Sequence, residues 1–462
     1  MVSVDIVISS GMVLTPSGLI DAEVAISDGK IRSISRSDRF NDAGRKINAR
    51  GKVVLPGVID PHVHIYSEGS NRTFEQNLRL ETPSMIRGGV TTAFGFVASL
   101  YSYHKILPLM VEQTQAISAL NMGFHLVLNN DLQLAEIREY HDRYGINSFK
   151  LFMGEKGVEI FPGRLTVDDG FLLDSLREIA SLDRSSLAII HAENWQLINR
   201  LKEKLQKEGR KDAKAWTESR PGIGEEEAVR RAAFFAREAS CNIYVAHVSS
   251  SRTLSALRWA VESGVNIRSE VTPHNLVLSD EDHSDLGPMK FTPPVRGKLE
   301  AELLWSALRS DEINCVGSDH LAGKTKKDLP PPDNIWTGST SYPGSGLILP
   351  LLFTEGYLAR HLTLERLVEV TSSSPAKILS LYPRKGVLVE GDDADLVLVD
   401  PEREEVVTPE KVGVSSDFTP YDGRKLKGWP TVTILGGEIA FENGVEVAGV
   451  RGRYISQREA CI

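Results

Sequence analysis

Apolar and polar side chains alternate with a period of two over residues 1 to about 50, in Val4-Asp5-Ile6-Val7-Ile8, Ala22-Glu23-Val24-Ala25-Ile26 and Lys30-Ile31-Arg32-Ser33-Ile34. Strand side chains return to one face at this spacing, so these segments predict short, half-buried strands. Ser27-Asp28-Gly29 joins the last two as a tight turn that the glycine permits. From about 51 to 375 short apolar runs are separated by longer amphipathic stretches, as in β/α units. The runs Val53–Ile59, Val90–Val97, Phe124–Asn129, Ser148–Met153, Leu187–His191, Ile243–His247, Val265–Glu270 and Ile313–Ser318 predict about eight strands. That number closes a parallel barrel. Gly224–Ala239 and Ser251–Ser263 predict helices between them. After about 385 the short β pattern returns in Leu396–Val399, Val432–Leu435 and Glu438–Phe441.

The expected fold is therefore α/β: a (β/α)8 TIM-like barrel with a small β-sandwich domain built from both chain termini, which often lie close together. Residues 1–50 and 376–448 would form the two parts of the β-domain and 51–375 the barrel. Residues 449–462 are polar and basic and read as a tail or an oligomer arm. Lys324–Asp333, with three lysines and a Pro330-Pro331-Pro332 run, reads as an exposed loop.

Composition narrows the function classes. The 462 residues are 41% hydrophobic and 25% charged, ample for a large core. A net charge of -9 argues against a nucleic-acid or anionic-membrane partner held by bulk charge. The three cysteines, Cys241, Cys315 and Cys461, form no C-x-x-C pair, which argues against a zinc ribbon or disulfide scaffold and for a reducing cytoplasm. The first residues lack a basic stretch before an apolar one and read as β-structure, not a signal peptide. No uncharged apolar run approaches membrane-spanning length.

The candidate chemistry lies at strand ends, where barrel active sites form. His62 and His64, in Pro61-His62-Val63-His64, project to one side of the first strand and can grip a divalent metal together. Lys150 lies on the fourth strand, between Phe149 and Phe152. An ammonium buried there costs several kcal/mol unless it is paired or loses its charge. His191 ends the fifth strand, His247 the sixth, and Asp319 the eighth, in Ser318-Asp319-His320. Each has a plain alternative: a hydrogen-bonded structural histidine, a snorkelling lysine, a helix-capping aspartate. All together, at the same end of the strands, they point to a metal centre.

With these residues in place, the chain resembles the amidohydrolase superfamily, and within it the cyclic amidohydrolases: dihydropyrimidinase or hydantoinase, allantoinase and dihydroorotase. The matching motifs are P-G-V-I-D-P-H-V-H, F-K-L-F-M, H-A-E, A-H-V-S-S, S-D-H, Glu270-Val271-Thr272-Pro273-His274 and the stretch from Gly391 to Asp400. The resemblance spans nearly the whole chain. It implies that Lys150 is carboxylated by CO2 and bridges two divalent metals. His62, His64 and Asp319 would bind one metal, and His191 and His247 the other. Zinc is the expected ion for imidazole and carboxylate ligands. The implied reaction opens a cyclic amide, ureide or imide ring by attack of a metal-bridged hydroxide, with Asp319 as the general base that passes the proton to the leaving nitrogen. The partner would be a small-molecule substrate, and a homo-oligomer, often a tetramer in the family, is expected.

Two departures bear on the substrate. The hydantoinase pattern has a tyrosine shortly after the bridging lysine that donates to the developing oxyanion; Glu155 stands there in this chain. An ionised carboxylate would repel an oxyanion, so either another donor serves or Glu155 meets a cationic or NH-rich part of the substrate. Dihydroorotases carry an arginine just after H-x-H, whereas this chain has Ile65-Tyr66-Ser67-Glu68 and no arginine before Arg72. By resemblance, Thr292 and Thr340 mark segments that contact substrate. Of the remaining histidines, His274 and His320 are expected to support the ligands, and His104, His125, His141, His283 and His361 to pack or face solvent. The alternatives are an allantoinase-like or other amide hydrolase, and a non-catalytic relative that acts in assembly. All six ligand positions are intact, which favours an enzyme.

Overall fold

A computed structural model describes residues 4–36, 43–67, 70–154, 167–281, 290–412 and 416–458. The barrel strands are β1 (Val58–Ser67), β2 (Val90–Ala98), β3 (Asn121–Val127), β4 (Ser148–Phe152), β5 (Leu187–His191), β6 (Asn242–Val245), β7 (Ile267–Val271) and β8 (Cys315–Val316). Each pairs in parallel with the next. The chain leaves β8 and resumes as His320–Leu321, which pairs in parallel with Val63 and His64 of β1 and closes the ring. Strands covered on both faces read as continuous apolar runs, as these do.

The helices follow the expected pattern. Gly222–Ala239 buries Ala228, Val229, Ala232, Ala233 and Ala236, a small-residue face that lets it pack closely. Ser251–Glu262 starts at Ser250, whose side chain caps the Arg252 N–H. The main core lies between helices and strands. A separate cluster with Phe96, Val127, Phe152, Ile189, Tyr244 and Cys315, drawn from six barrel strands, fills the interior beneath the site.

The second sheet contains all six of the shorter strands expected from both termini. Its path runs Val445–Glu446, Glu438–Glu442, Lys425–Leu435, Leu396–Val406, Val53–Pro56, Val4–Thr15, Gly18–Ser27 and Lys30–Ser35, with Ala43–Asn48 paired to Val4–Thr15. Its core includes Ile31 near one end of the path and Ile434 near the other, so the sheet wraps around its own apolar centre.

One strand differs from the sequence reading. Val53–Ile59, expected as a single barrel strand, is split at Gly57. Val53–Pro56 pairs with Leu396–Val399 in the terminal sheet, and only from Val58 does the chain enter the barrel. Gly57 marks the crossing because Thr91 fills the space beside it: a Cβ there would lie 2.1 Å from Thr91 Oγ1. The last described residues lie along the N-terminal end of β3, where Met122 exchanges backbone hydrogen bonds with Arg453 and Ile455.

Candidate metal centre

His62 and His64 sit two apart on β1, so their rings share a side, and their Nε2 atoms lie 3.2 Å apart. Asp319, between β8 and the closing strand, completes the group: its Oδ1 lies 3.1 Å from each of those nitrogens. Across the barrel mouth, Nδ1 of His191 lies 3.0 Å from Nε2 of His247. The two groups meet, since the His62 and His247 ring centroids are 5.4 Å apart. Lys150 is fully buried, its Nζ 4.7 Å from the Phe96 ring centroid and 5.2 Å from that of Phe152. Phe96 also stacks on His64, and Phe152 on His191, so the two rings flanking the lysine pack against both histidine groups.

Two residues of the site carry backbone strain. His247 has φ 39° and Asp319 φ 51°, left-handed conformations that non-glycine residues seldom adopt. Strained residues of this kind cluster where function needs a particular orientation.

Carboxylates hold ring protons on the outer side of His62 and His191. His62 Nδ1 donates to Glu270 Oε1, which leaves Nε2 towards Asp319. His191 Nε2 donates to Glu193 Oε2 at 2.8 Å, which leaves Nδ1 towards His247. Carboxylates placed in this way fix the tautomer of a metal-binding histidine. Burial pushes the His64 imidazole down to about 4 and lowers His191 and His247 as well, so these rings are neutral at pH 7. Burial would also lower His62, but Glu270 and Asp319 outweigh it and raise this ring to about 9. Burial would raise Asp319, yet His62 and His64 hold its carboxyl well below the usual range. Three buried donors within mutual reach, a second facing pair of imidazoles and a lysine between them suit divalent metals.

Supporting contacts reach further than the motifs indicated. Asp60 accepts from the backbone N–H groups of His62 and Ser318 and from the hydroxyls of Ser318 and Ser345. Ser341 Oγ donates to Asp319 Oδ2 at 3.2 Å. His320 accepts the Gly344 N–H at Nδ1 and stands 3.3 Å from Glu81 at Nε2. His274 instead stacks on Phe291. His125 is buried, bonded to Ser148 Oγ and the Pro61 carbonyl. Arg72 is paired with Glu81 at 3.4 Å. Thr292 and Thr340 are buried, and neither hydroxyl has a hydrogen-bond partner among the described residues. Glu155 and His283 lie outside the described residues. Glu270 and Glu193 carry no sequence signal beyond their place inside the E-V-T-P-H and H-A-E motifs.

Comparison with known proteins agrees with this geometry. The sequence profile of the amidohydrolase family matches residues 53–267 and 306–440. An L-hydantoinase of Paenarthrobacter aurescens is 31% identical over 460 residues, covering 98% of each chain. An allantoinase of Rubrobacter xylanophilus is 32% identical over 464 residues, covering 99% of each. The crystal structure of a dihydropyrimidinase from Brevibacillus agri superposes with a TM-score of 0.88 at 29% identity, over 97% of this chain and 98% of that one. With its profile match, its relatives and its fold in agreement, this chain belongs to the amidohydrolase family.

Proposed function

We propose that the protein is a binuclear-metal hydrolase that opens a cyclic amide, ureide or imide ring, in the manner of a hydantoinase or dihydropyrimidinase. The observation that carries this reading is the convergence of His62 Nε2, His64 Nε2 and Asp319 Oδ1 within 3.2 Å of one another, beside the His191–His247 pair. His62, His64 and Asp319 would hold one ion, and His191 and His247 the other. Lys150, carboxylated by CO2, would bridge them. Carboxylation would turn the buried amine into an anion, and the two bound cations would offset the cost of burying that charge beside Phe96 and Phe152. Zinc suits this set of imidazole and carboxylate donors.

When bound, the ions supply Lewis acidity towards the ring carbonyl and lower the pKa of water. Asp319 does the proton work. Its Oδ1 faces the histidines and its Oδ2 faces Ser341. His62 and His64 keep the carboxylate ionised until it accepts a proton, which it passes to the leaving nitrogen. Thr292 and Thr340 offer buried hydroxyls to the ring amide, and Glu155 would meet its NH-rich edge.

The substrate is a small molecule. Among the described residues no helix is long and apolar enough to cross a membrane. Cytoplasmic residence belongs to the same reading, supported by the free thiols of the buried Cys241 and Cys315. So does a homo-oligomer, up to a tetramer, as the family resemblance implies.

An allantoinase-like activity is the second reading, favoured by an allantoinase relative as similar as the hydantoinase one. The test is hydrolysis of hydantoin, dihydrouracil, allantoin, dihydroorotate and succinimide by metal-analysed protein. Turnover of at least one ring, abolished by chelation and restored by zinc, is expected, and the preferred ring decides between the two readings. Turnover that survives complete metal removal would overturn both.

A further inference from the structure

We propose that Glu270 is the positioning residue that locks the two ligand groups of the metal centre to one another. The inference rests on the ligand assignment above. Glu270 lies on β7 and is fully buried. Its Oε1 accepts from His62 Nδ1 on one side of the mouth and from the His247 backbone N–H, at 3.0 Å, on the other. Its Oε2 accepts from Tyr244 Oη at 2.5 Å. One oxygen therefore spans the two groups, while the other is held from below.

Each contact has a consequence for a ligand. The bond to His62 holds the proton on Nδ1 and presents Nε2 to Asp319 and His64. The bond to His247 ties down a backbone with φ 39°, which sets the ring whose Nε2 faces His191. The chain also reserves room for this carboxylate. Gly317 leaves a space where an added Cβ would lie 2.2 Å from Glu270 Oε2 and 2.9 Å from His62 Cβ. Among the described residues Glu193 makes no such span: its bond at 2.8 Å reaches His191, which belongs to one group only.

The difference between the two carboxylates gives the test. Wild type, Glu270→Gln and Glu193→Gln are stripped of metal and equilibrated with zinc at buffered free concentrations. Zinc per chain and affinity are then read by metal analysis and chelator competition, with folding checked by circular dichroism. Glu270→Gln should weaken both sites by about 10–100-fold, the usual cost of losing a carboxylate behind a metal-binding histidine. Glu193→Gln should weaken one site by a similar factor and leave the other. A folded Glu270→Gln that keeps wild-type affinity, or that loses zinc at one site alone, overturns the proposal. Should Glu270→Gln fail to fold, Tyr244→Phe takes its place: it leaves the carboxylate but frees Oε2. A measurable fall at both sites supports the role, and unchanged affinity at either overturns it. A wild type that holds no zinc would instead contradict the metal centre itself.

Discussion

Nδ1 of His191 and Nε2 of His247 face each other at 3.0 Å, with the two rings edge to face. Glu193 takes the proton on the far side of His191, so the near nitrogen carries a lone pair. Burial lowers both rings and keeps them neutral at pH 7. The pair can share one N–H···N bond, which a cation held by both lone pairs would replace. His62 differs, because Glu270 and Asp319 favour its proton.

That difference gives a pH prediction for the metal-free protein. The folded His62 imidazole is raised to about 9 from its ordinary 6.5. A raised pKa contributes stability that is complete below 6.5 and is lost as pH rises through about 9. The melting temperature of chelator-treated protein should therefore fall between pH 7 and pH 9.5, measured by scanning calorimetry. In His62→Gln the fall should be much smaller; an equal fall in both would remove His62 as its source.

Asp319→Asn should separate metal binding from proton transfer. The amide keeps an oxygen towards His62 and His64 but cannot take the proton that the leaving nitrogen needs. Turnover is expected to drop by about 10²–10⁴-fold, the usual range for a general base, while most of the metal stays. Metal analysis beside steady-state kinetics reads both quantities. Near-normal turnover would show that another group carries the proton.

Thr340→Val should be silent for stability and costly for binding. The Thr340 hydroxyl is buried and has no partner among the described residues, so its replacement by a methyl removes no internal hydrogen bond. KM should rise with kcat little changed, as for a contact made equally in the bound substrate and the transition state. A loss of thermal stability without a change in KM would mark Thr340 as structural.

How far the sequence could be read is clearest at single residues. His62, His64, His191, His247, Lys150 and Asp319 were legible because each stands within or just after a short apolar run, and a parallel barrel brings such ends to one face. The sheet made from both termini was legible in its period-two alternation. Glu270 was not. Its partner His62 lies 208 positions away in the chain, and no local pattern records a bond across a barrel. The break at Gly57 was hidden too, because Val53–Ile59 is apolar throughout and only the approach of Thr91 shows where one sheet ends. Arg72 could be noted from sequence but not placed, since its pairing with Glu81 depends on how a helix packs.

The central claim, a metal pair bridged by Lys150, is tested most directly by metal analysis of wild type and Lys150→Ala prepared side by side. Wild type should hold about two zinc ions per chain, the count a bridged site implies. Lys150→Ala should lose them along with ring-opening activity, and short-chain carboxylates should restore part of both. A Lys150→Ala protein that keeps two metals and full activity would contradict the account.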